Sequence, residues 1–175
     1  LRRDDHAAQR AAPQRIDVFV RRHASFMVRH YAAVSFYTVL IYGALAWIPA
    51  HLIREFGWSP AEVGLRYGLV FLVFGSAGTV AGAALANALA RRGVAQAPLV
   101  VTALGMLLGG LLIAAAAWSD DGWRALAWYA PGLLCLTLPG GTAIQVIQEA
   151  VPNALRGQAA GLYYLLNSLL GLTLG

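Results

Sequence analysis

Charge, lysine and cysteine are all scarce in this 175-residue chain. Only 12% of the residues are charged, about half the share found in an ordinary soluble domain, while 59% are hydrophobic. All thirteen basic residues are arginine, and Cys135 is the only cysteine. A single cysteine excludes a disulfide framework within the chain and a cysteine-rich metal centre. The low charge argues against a soluble domain and indicates an integral membrane protein.

The uncharged runs are long enough to cross a bilayer. Residues 67–90 and 93–119 carry no charge, and Arg91 and Arg92 lie between them. A helix needs about 20 apolar residues to span the hydrocarbon core, and arginines between two spans mark the cytoplasmic side. The same reasoning along the whole chain predicts five spans, the last of them incomplete. They cover residues 32–52, 61–90, 98–118, 125–148 and 157–175.

The N-terminal segment is the most basic part of the chain, with seven arginines in its first 29 residues. Residues 1–15 are expected to be a disordered linker. Residues 16–31 place apolar side chains at helical spacing, which predicts an amphipathic interfacial helix; the alternative is the foot of the first span. Ten arginines fall on the N-terminal side of the membrane and three on the other, which predicts a cytoplasmic N-terminus. Because spans follow directly, this arm is expected to bind no nucleic acid.

Small and polar residues within the spans predict how the helices meet. Glycines four residues apart let membrane helices approach closely, and intramembrane polar residues tend to face the bundle interior. The fourth span is expected to break where prolines and glycines cluster, as in cavity-lining helices; its polar residues could instead only join helices by hydrogen bonds. The glycine pairs are Gly64 and Gly68, Gly78 and Gly82, and Gly105 and Gly109. The polar stripes include Ser35, Thr38 and Tyr42 in the first span and Thr142, Gln145 and Gln148 in the fourth.

Two local features concern the loop that follows the first span. Ser59, Pro60 and Glu62 predict a capped helix start with proline at the first helical position. Arg66, one turn further on, is expected to extend toward the outer headgroups, with a cavity-facing position as the alternative.

Three stretches of the chain carry a family resemblance. GALAWIPAHLIREFGWSPAEVG is similar to the seventh helix, outer loop and start of the eighth helix in the major facilitator superfamily. GTVAGAALANALARRG resembles the second-half copy of that family's inner-loop signature. IQEAVPNALRGQAAGLYYLLNSLLGLTLG resembles the passage from the tenth to the eleventh helix, most like the spinster-like branch. The resemblance implies an all-α membrane protein in which residues 32–175 form a partial bundle, helices seven to eleven of twelve.

The resemblance also implies a function. It implies a secondary active transporter of a small organic or amphiphilic solute, working by alternating access. The use of arginine alone as the basic residue and the abundance of alanine favour a bacterial source, so the expected location is a bacterial inner membrane. The expected partners are the solute, the bilayer and the N-terminal half of the same transporter; no cofactor, metal or catalytic residue is expected. The implied substrate-facing residues are Thr38, Tyr42, Gln145, Gln148, Tyr163 and Asn167. The implied gating or inner-loop residues are Gly82, Asn87, Arg91, Arg92, Gly93 and Arg156, although the family signature usually has an aspartate where this chain has Asn87.

Two other classes remain as alternatives. A membrane-embedded enzyme would need a metal-phosphate site, for which Asp120 and Asp121 alone are a weak signal. A structural membrane protein would need no polar cavity, whereas three of the spans carry polar stripes.

Overall fold

The structure, a computed structural model, describes residues 21, 23–142, 146 and 151–174, and every regular element among them is helical. Three helical stretches are long and apolar enough to cross a membrane: Val28–Phe56, Pro60–Arg91 and Ala97–Ala117. The predicted all-α helical bundle is therefore confirmed. The helices are α1 (Ala24–Phe56), α2 (Pro60–Val70), α3 (Ser76–Arg91), α4 (Ala97–Ala117), α5 (Gly122–Thr137) and α6 (Arg156–Leu174). A π-helical turn spans Phe71–Gly75, and 3₁₀ turns span Leu138–Gly141 and Asn153–Leu155.

The N-terminal predictions fall mostly outside the described residues. The predicted linker, residues 1–15, and residues 16–20 and 22 of the predicted interfacial helix are not described. The described residues 24–31 of that helix are continuous with α1, which matches the alternative in which this segment is the foot of the first span.

The turn from α1 to α2 follows from its residues. Gly57 ends α1 with a φ of +66°, a conformation that glycine adopts without steric cost. The Ser59 hydroxyl then accepts a hydrogen bond from the Glu62 amide at 3.2 Å, and the Ser59 amide donates to Glu62 Oε2 at 2.9 Å. This reciprocal pair is a capping box, with Pro60 in the first turn. The predicted helix start is confirmed.

A π-helical turn joins α2 and α3 into one continuous crossing. Residues Phe71–Gly75 form the wider turn, in which hydrogen bonds reach five residues rather than four. The Thr79 hydroxyl donates to the Gly75 carbonyl at 3.1 Å, so a side chain satisfies a backbone group at the end of this turn. Such turns are often found at functional sites, and nothing in the sequence predicted this one.

The end of α5 is held between α3 and α4. A Cβ added to Gly78 would collide with Thr137 Oγ1 and the Leu134 carbonyl, and one added to Gly82 would collide with the Leu138 carbonyl. On the other side, a Cβ on Gly105 would lie 2.7 Å from the Cys135 carbonyl oxygen, and one on Gly109 would lie 2.8 Å from the Leu136 nitrogen. Both glycine pairs therefore bring the backbones of α3 and α4 into direct contact with the backbone at the end of α5.

The third predicted glycine pair does not make such a contact. A Cβ on Gly64 or Gly68 would meet nothing within 4 Å among the described residues. The expected close approach is therefore not made within the part of the chain that the structure describes, where this face of α2 is exposed. The buried face of α2 instead carries Val63 and Tyr67, which join Leu52 of α1 and Leu133 of α5 in the main apolar core.

The fourth predicted span breaks where prolines and glycines cluster. α5 runs straight through Pro131 and ends at Thr137, and the 3₁₀ turn over Leu138–Gly141 follows. Of the predicted span, residues 143–145, 147 and 148 lie outside the described residues. After them α6 returns along α1: the Tyr31 hydroxyl donates to the Ala159 carbonyl at 3.2 Å. The bundle thus has a Trp58 end, where α1 meets α2, and an Arg91 end, where α3 meets α4.

Candidate functional site

The seam between α1 and α6 holds a polar contact near the middle of α1. The Thr38 hydroxyl lies 3.0 Å from Asn167 Oδ1 and 2.8 Å from the Val34 carbonyl oxygen. A hydroxyl carries one hydrogen, so it donates to only one of these oxygens at a time. When it bonds Val34, the Asn167 oxygen is available to another donor.

Tyr163 extends this contact along α6. Its side chain is buried, lies close to that of Asn167 one turn further on, and is edge-on to Tyr164, with ring centroids 5.2 Å apart. Tyr164, the next residue, is 59% exposed. The structure therefore brings together three of the predicted substrate-facing residues: Thr38, Tyr163 and Asn167.

Two residues that the sequence did not single out complete the group. A Cβ on Gly140 would lie 3.4 Å from Thr79 Oγ1 and 3.9 Å from the Tyr37 hydroxyl, so both hydroxyls face the broken part of the fourth crossing. Tyr37 is also close enough to Tyr163 for an electrostatic interaction. Thr79 and Tyr37 therefore lie at the glycine turn, and Tyr37 connects this turn with the contact of Thr38, Tyr163 and Asn167 between α1 and α6. We call this group the polar cluster; its members are Tyr37, Thr38, Thr79, Tyr163 and Asn167.

The other residues predicted to face the substrate are either partly exposed or outside the described residues. Tyr42 lies one turn beyond Thr38 but is 39% exposed, so it is not enclosed in the α1–α6 seam. Gln145 and Gln148 lie outside the described residues. Thr142, which begins the same stripe, is fully buried and lies 3.2 Å from the Thr102 hydroxyl of α4. For Thr142 the alternative reading, a hydrogen bond between helices, is the observed one.

The Arg91 end carries the predicted inner-loop residues. Helix α3 ends in a Schellman motif: the Gly93 amide donates to Ala90 at 3.0 Å, the Val94 amide donates to Leu89 at 3.1 Å, and Gly93 has a φ of +80°. Glycine fits this position because other residues are strained there.

The polar inner-loop residues lie on the surface of this end. Asn87, Arg91 and Arg92 are exposed. Arg156 is also exposed, and its Nε donates to the Val151 carbonyl at 3.2 Å. Gly82 lies apart from them, in the contact with Leu138. The structure shows Gly82 in a helix-packing contact. A gating role for Gly82, Asn87, Arg91, Arg92, Gly93 and Arg156 stays a prediction.

The Trp58 end is organised by Arg66. Its guanidinium carbon lies 4.7 Å from the ring centroid of Trp58 and 4.5 Å from that of Trp123, and its Nη2 lies 3.1 Å from Glu62 Oε1. The Trp58 ring also covers Gly122, where a Cβ would lie 2.8 Å from the indole. Arg66 therefore joins α2 to the start of α5 and is remote from the polar cluster.

The chemistry of the polar cluster is hydrogen bonding. It presents hydroxyl groups and an amide, all uncharged, beside an interrupted helix. Among the described residues no group of three or more histidine, cysteine, aspartate or glutamate side chains could hold a metal ion. Such a cluster can bind a polar solute and orient it.

Comparison with known proteins agrees with this architecture. A family model described as Major Facilitator Superfamily matches residues 2–175. No curated protein and no solved structure matches the chain. The match covers nearly the whole chain, and the members of this family are transporters rather than enzymes. The chain therefore belongs to the Major Facilitator Superfamily of multi-pass membrane transporters.

Proposed function

We propose that this chain is the C-terminal half of a secondary active transporter, and that it moves a small organic or amphiphilic solute by alternating access. The observation that carries the proposal is the polar cluster beside the break at Gly140. Intramembrane polar groups are costly and mark substrate pathways, and interrupted helices near the bilayer midplane form substrate sites in transporters. On this proposal α1 to α6 are helices seven to eleven, with α2 and α3 together forming helix eight, and the partner is the N-terminal half.

The cluster would recognise its solute through hydrogen bonds. Tyr163, Asn167 and Thr38 offer donors and acceptors but no formal charge, which favours an uncharged or amphiphilic solute. Gln145 would extend this surface along the fourth crossing, as the family resemblance implies. The spinster-like resemblance agrees with an amphiphilic solute.

The packing between the helices suggests which of them move together. The two glycine pairs seat α3 and α4 directly on the end of α5, so these three helices would move as one body. The seam of α1 with α6 is extended and is joined by packed side chains together with two hydrogen bonds, Tyr31 to Ala159 and Thr38 to Asn167. We propose that opening and closing of the substrate path occurs along this side-chain seam rather than within the backbone contacts of α3, α4 and α5.

A matched pair of tyrosines tests the substrate site. A panel of organic solutes is screened for those that raise the melting temperature of the detergent-purified transporter, since a ligand stabilises the state it binds. Exchange of the labelled hit is then measured in proteoliposomes. Tyr163→Phe removes a buried hydroxyl, and we expect it to weaken solute binding about tenfold, the size of one hydrogen bond.

The control is Tyr164→Phe, which removes the same atom from the exposed neighbour. We expect this variant to remain within about twofold of wild type, because an exposed hydroxyl exchanges a protein partner for water. Equal effects of the two substitutions, or full activity in Tyr163→Phe, would contradict the substrate site.

The proposed orientation has its own test. We propose that the Arg91 end faces the cytoplasm of a bacterial cell, because arginines concentrate on the cytoplasmic side. Single cysteines replace Ser119 and the exposed Ala95 in a chain carrying Cys135→Ala. An impermeant thiol reagent added to intact spheroplasts should label position 119 but not position 95, and the opposite pattern would reverse the orientation.

A further inference from the structure

The crossing formed by α2 and α3 is held against α5 in two different ways, and the π-helical turn lies between them. The turn and α3 run with their backbones close to α5, and Gly78 allows direct contact with it. Among the described residues, α2 has no comparable backbone contact with α5. Long side chains bridge the space instead, as where Arg66 lies against the Trp123 ring. α3 is therefore fixed on α5, whereas α2 is held mainly at the Trp58 end.

A buried polar group lowers the stability of α2 in this position. The Tyr67 side chain is only 7% exposed, and its hydroxyl makes no hydrogen bond within the described ranges. Its ring lies beside that of Phe71, the first residue of the π-helical turn, with centroids 6.5 Å apart. Tyr129 of α5 is close enough to Tyr67 for an electrostatic interaction. An unpaired buried hydroxyl is costly, so moving α2 to a position in which this hydroxyl is paired recovers that cost.

Thr79 connects the π-helical turn to the polar cluster. Its hydroxyl donates to the carbonyl of Gly75, the last residue of the turn, at 3.1 Å. The Thr79 side chain is also exposed and lies beside the glycine turn, where a Cβ on Gly140 would be 3.4 Å from Thr79 Oγ1. A hydroxyl carries one hydrogen. An acceptor atom of a solute bound at Gly140 would therefore compete with the Gly75 carbonyl for the Thr79 hydrogen.

We propose that the π-helical turn is a hinge and that Thr79 is the positioning residue that holds it. When an acceptor atom of a solute takes the Thr79 hydrogen, the Gly75 carbonyl is free to accept a different backbone amide, as a rearrangement of the turn requires. α2 then tilts about the turn while α3 stays on α5, and Arg66 separates from Trp123 at the Trp58 end. The Gly57 turn joins α2 to α1, so the tilt is transmitted to α1 and its seam with α6. The part played by the solute rests on the proposed function, whereas the hinge does not.

Distances between spin labels on the detergent-purified transporter test the hinge. Ala61 of α2 lies fourteen positions before Gly75, about 21 Å along the helix. A tilt of about 10°, smaller than the kinks that π-helical turns produce, would therefore move Ala61 by about 4 Å. The test pair joins Ala61 to Ala127 of α5, and the reference pair joins Val80 of α3 to Ala127, both in a chain carrying Cys135→Ala. The three labelled positions are exposed.

Substitutions of Thr79 supply the perturbation. Thr79→Val removes the hydroxyl and keeps the branched shape of the side chain. We expect the distance of the test pair to shift by up to about 4 Å or to gain a second peak, and that of the reference pair to stay unchanged. Thr79→Ser retains the hydroxyl and should match the wild-type distances. Thr173→Val is the matched control, because the Thr173 hydroxyl donates in the same way to the carbonyl four residues earlier, in α6; it should also match wild type.

The solute found by the melting-temperature screen supplies the second arm of the experiment. It should shift the test pair in wild type and cause no further shift in Thr79→Val. A solute that binds through Tyr163 but leaves the test pair unchanged would overturn the coupling and leave the proposed substrate site intact. A solute insensitive to Tyr163→Phe, with the Thr79→Val shift still present, would contradict the substrate site and not the hinge. An unchanged test pair in Thr79→Val, or equal shifts of the two pairs, would overturn the hinge.

Discussion

Replacing Gly82 with alanine tests the packing that positions the polar cluster. A Cβ at this position collides with the Leu138 carbonyl oxygen and lies 2.8 Å from the Leu138 carbonyl carbon. These atoms belong to the backbone of the 3₁₀ turn and cannot rotate away, so α3 has to move. Overpacking of this kind costs about 1–3 kcal/mol. Alanine offsets part of that cost, because it is about 1 kcal/mol better than glycine in a helix.

The matched control is Gly68→Ala in α2, where the added Cβ meets nothing within 4 Å. This variant should gain the helix propensity of about 1 kcal/mol without the collision. The two variants should therefore differ by about 1–3 kcal/mol in the free energy of unfolding, which is about 2–12 °C in melting temperature for a domain of this size. Tryptophan fluorescence during heating in detergent measures the difference. A Gly82→Ala variant that melts with or above Gly68→Ala would refute the tight contact.

Substitutions at three further contacts are tested by the same melting assay. Ser59→Ala removes the cap of α2 and should cost about 1 kcal/mol; no change would contradict the capping box. Arg66→Gln and Trp123→Leu, alone and together, should show a coupling energy of about 0.5–1 kcal/mol, and additive effects would rule out the cation–π contact. Thr102→Val removes the α4 partner of the buried Thr142 and should cost about 1–2 kcal/mol, whereas Thr102→Ser should retain stability; equal stability of both variants would contradict this hydrogen bond.

Much of the helical layout could be predicted because local chemistry determines it. Long apolar runs bounded by Arg91 or by glycines are helices wherever they occur, and the Ser59 cap depends on its immediate neighbours. The glycine pairs show the limit of this reasoning. Gly78 and Gly64 belong to the same four-residue pattern, but only the first lies against another backbone. The face with which an almost uniformly apolar helix meets its neighbour depends on how three helices pack together. The spacing of residues within one helix does not predict that face.

The same limit applies to the candidate site. Thr38 and Tyr42 share a face by spacing, but the observed contact between α1 and α6 buries Thr38 and leaves Tyr42 39% exposed. Tyr37 was not singled out because it lies about 100° around the helix from Thr38, outside the stripe that Ser35, Thr38 and Tyr42 form. Its hydroxyl near Gly140 and its proximity to Tyr163 of α6 show that this second direction also leads to the polar cluster.

The π-helical turn has a consequence for the crossing formed by α2 and α3. Twelve positions separate Arg66 from Gly78, and at about 100° per residue an unbroken α-helix would point them about 120° apart. The additional residue in the π-helical turn Phe71–Gly75 reduces this angle by about 100°. Arg66 and Gly78 therefore point in directions that agree to about 20°. Arg66 can then meet Trp123 while Gly78 meets Leu134, eleven residues further along the same neighbouring helix. Deleting a single residue from the turn would keep the hydrophobic length nearly unchanged but rotate one of these two contacts out of reach.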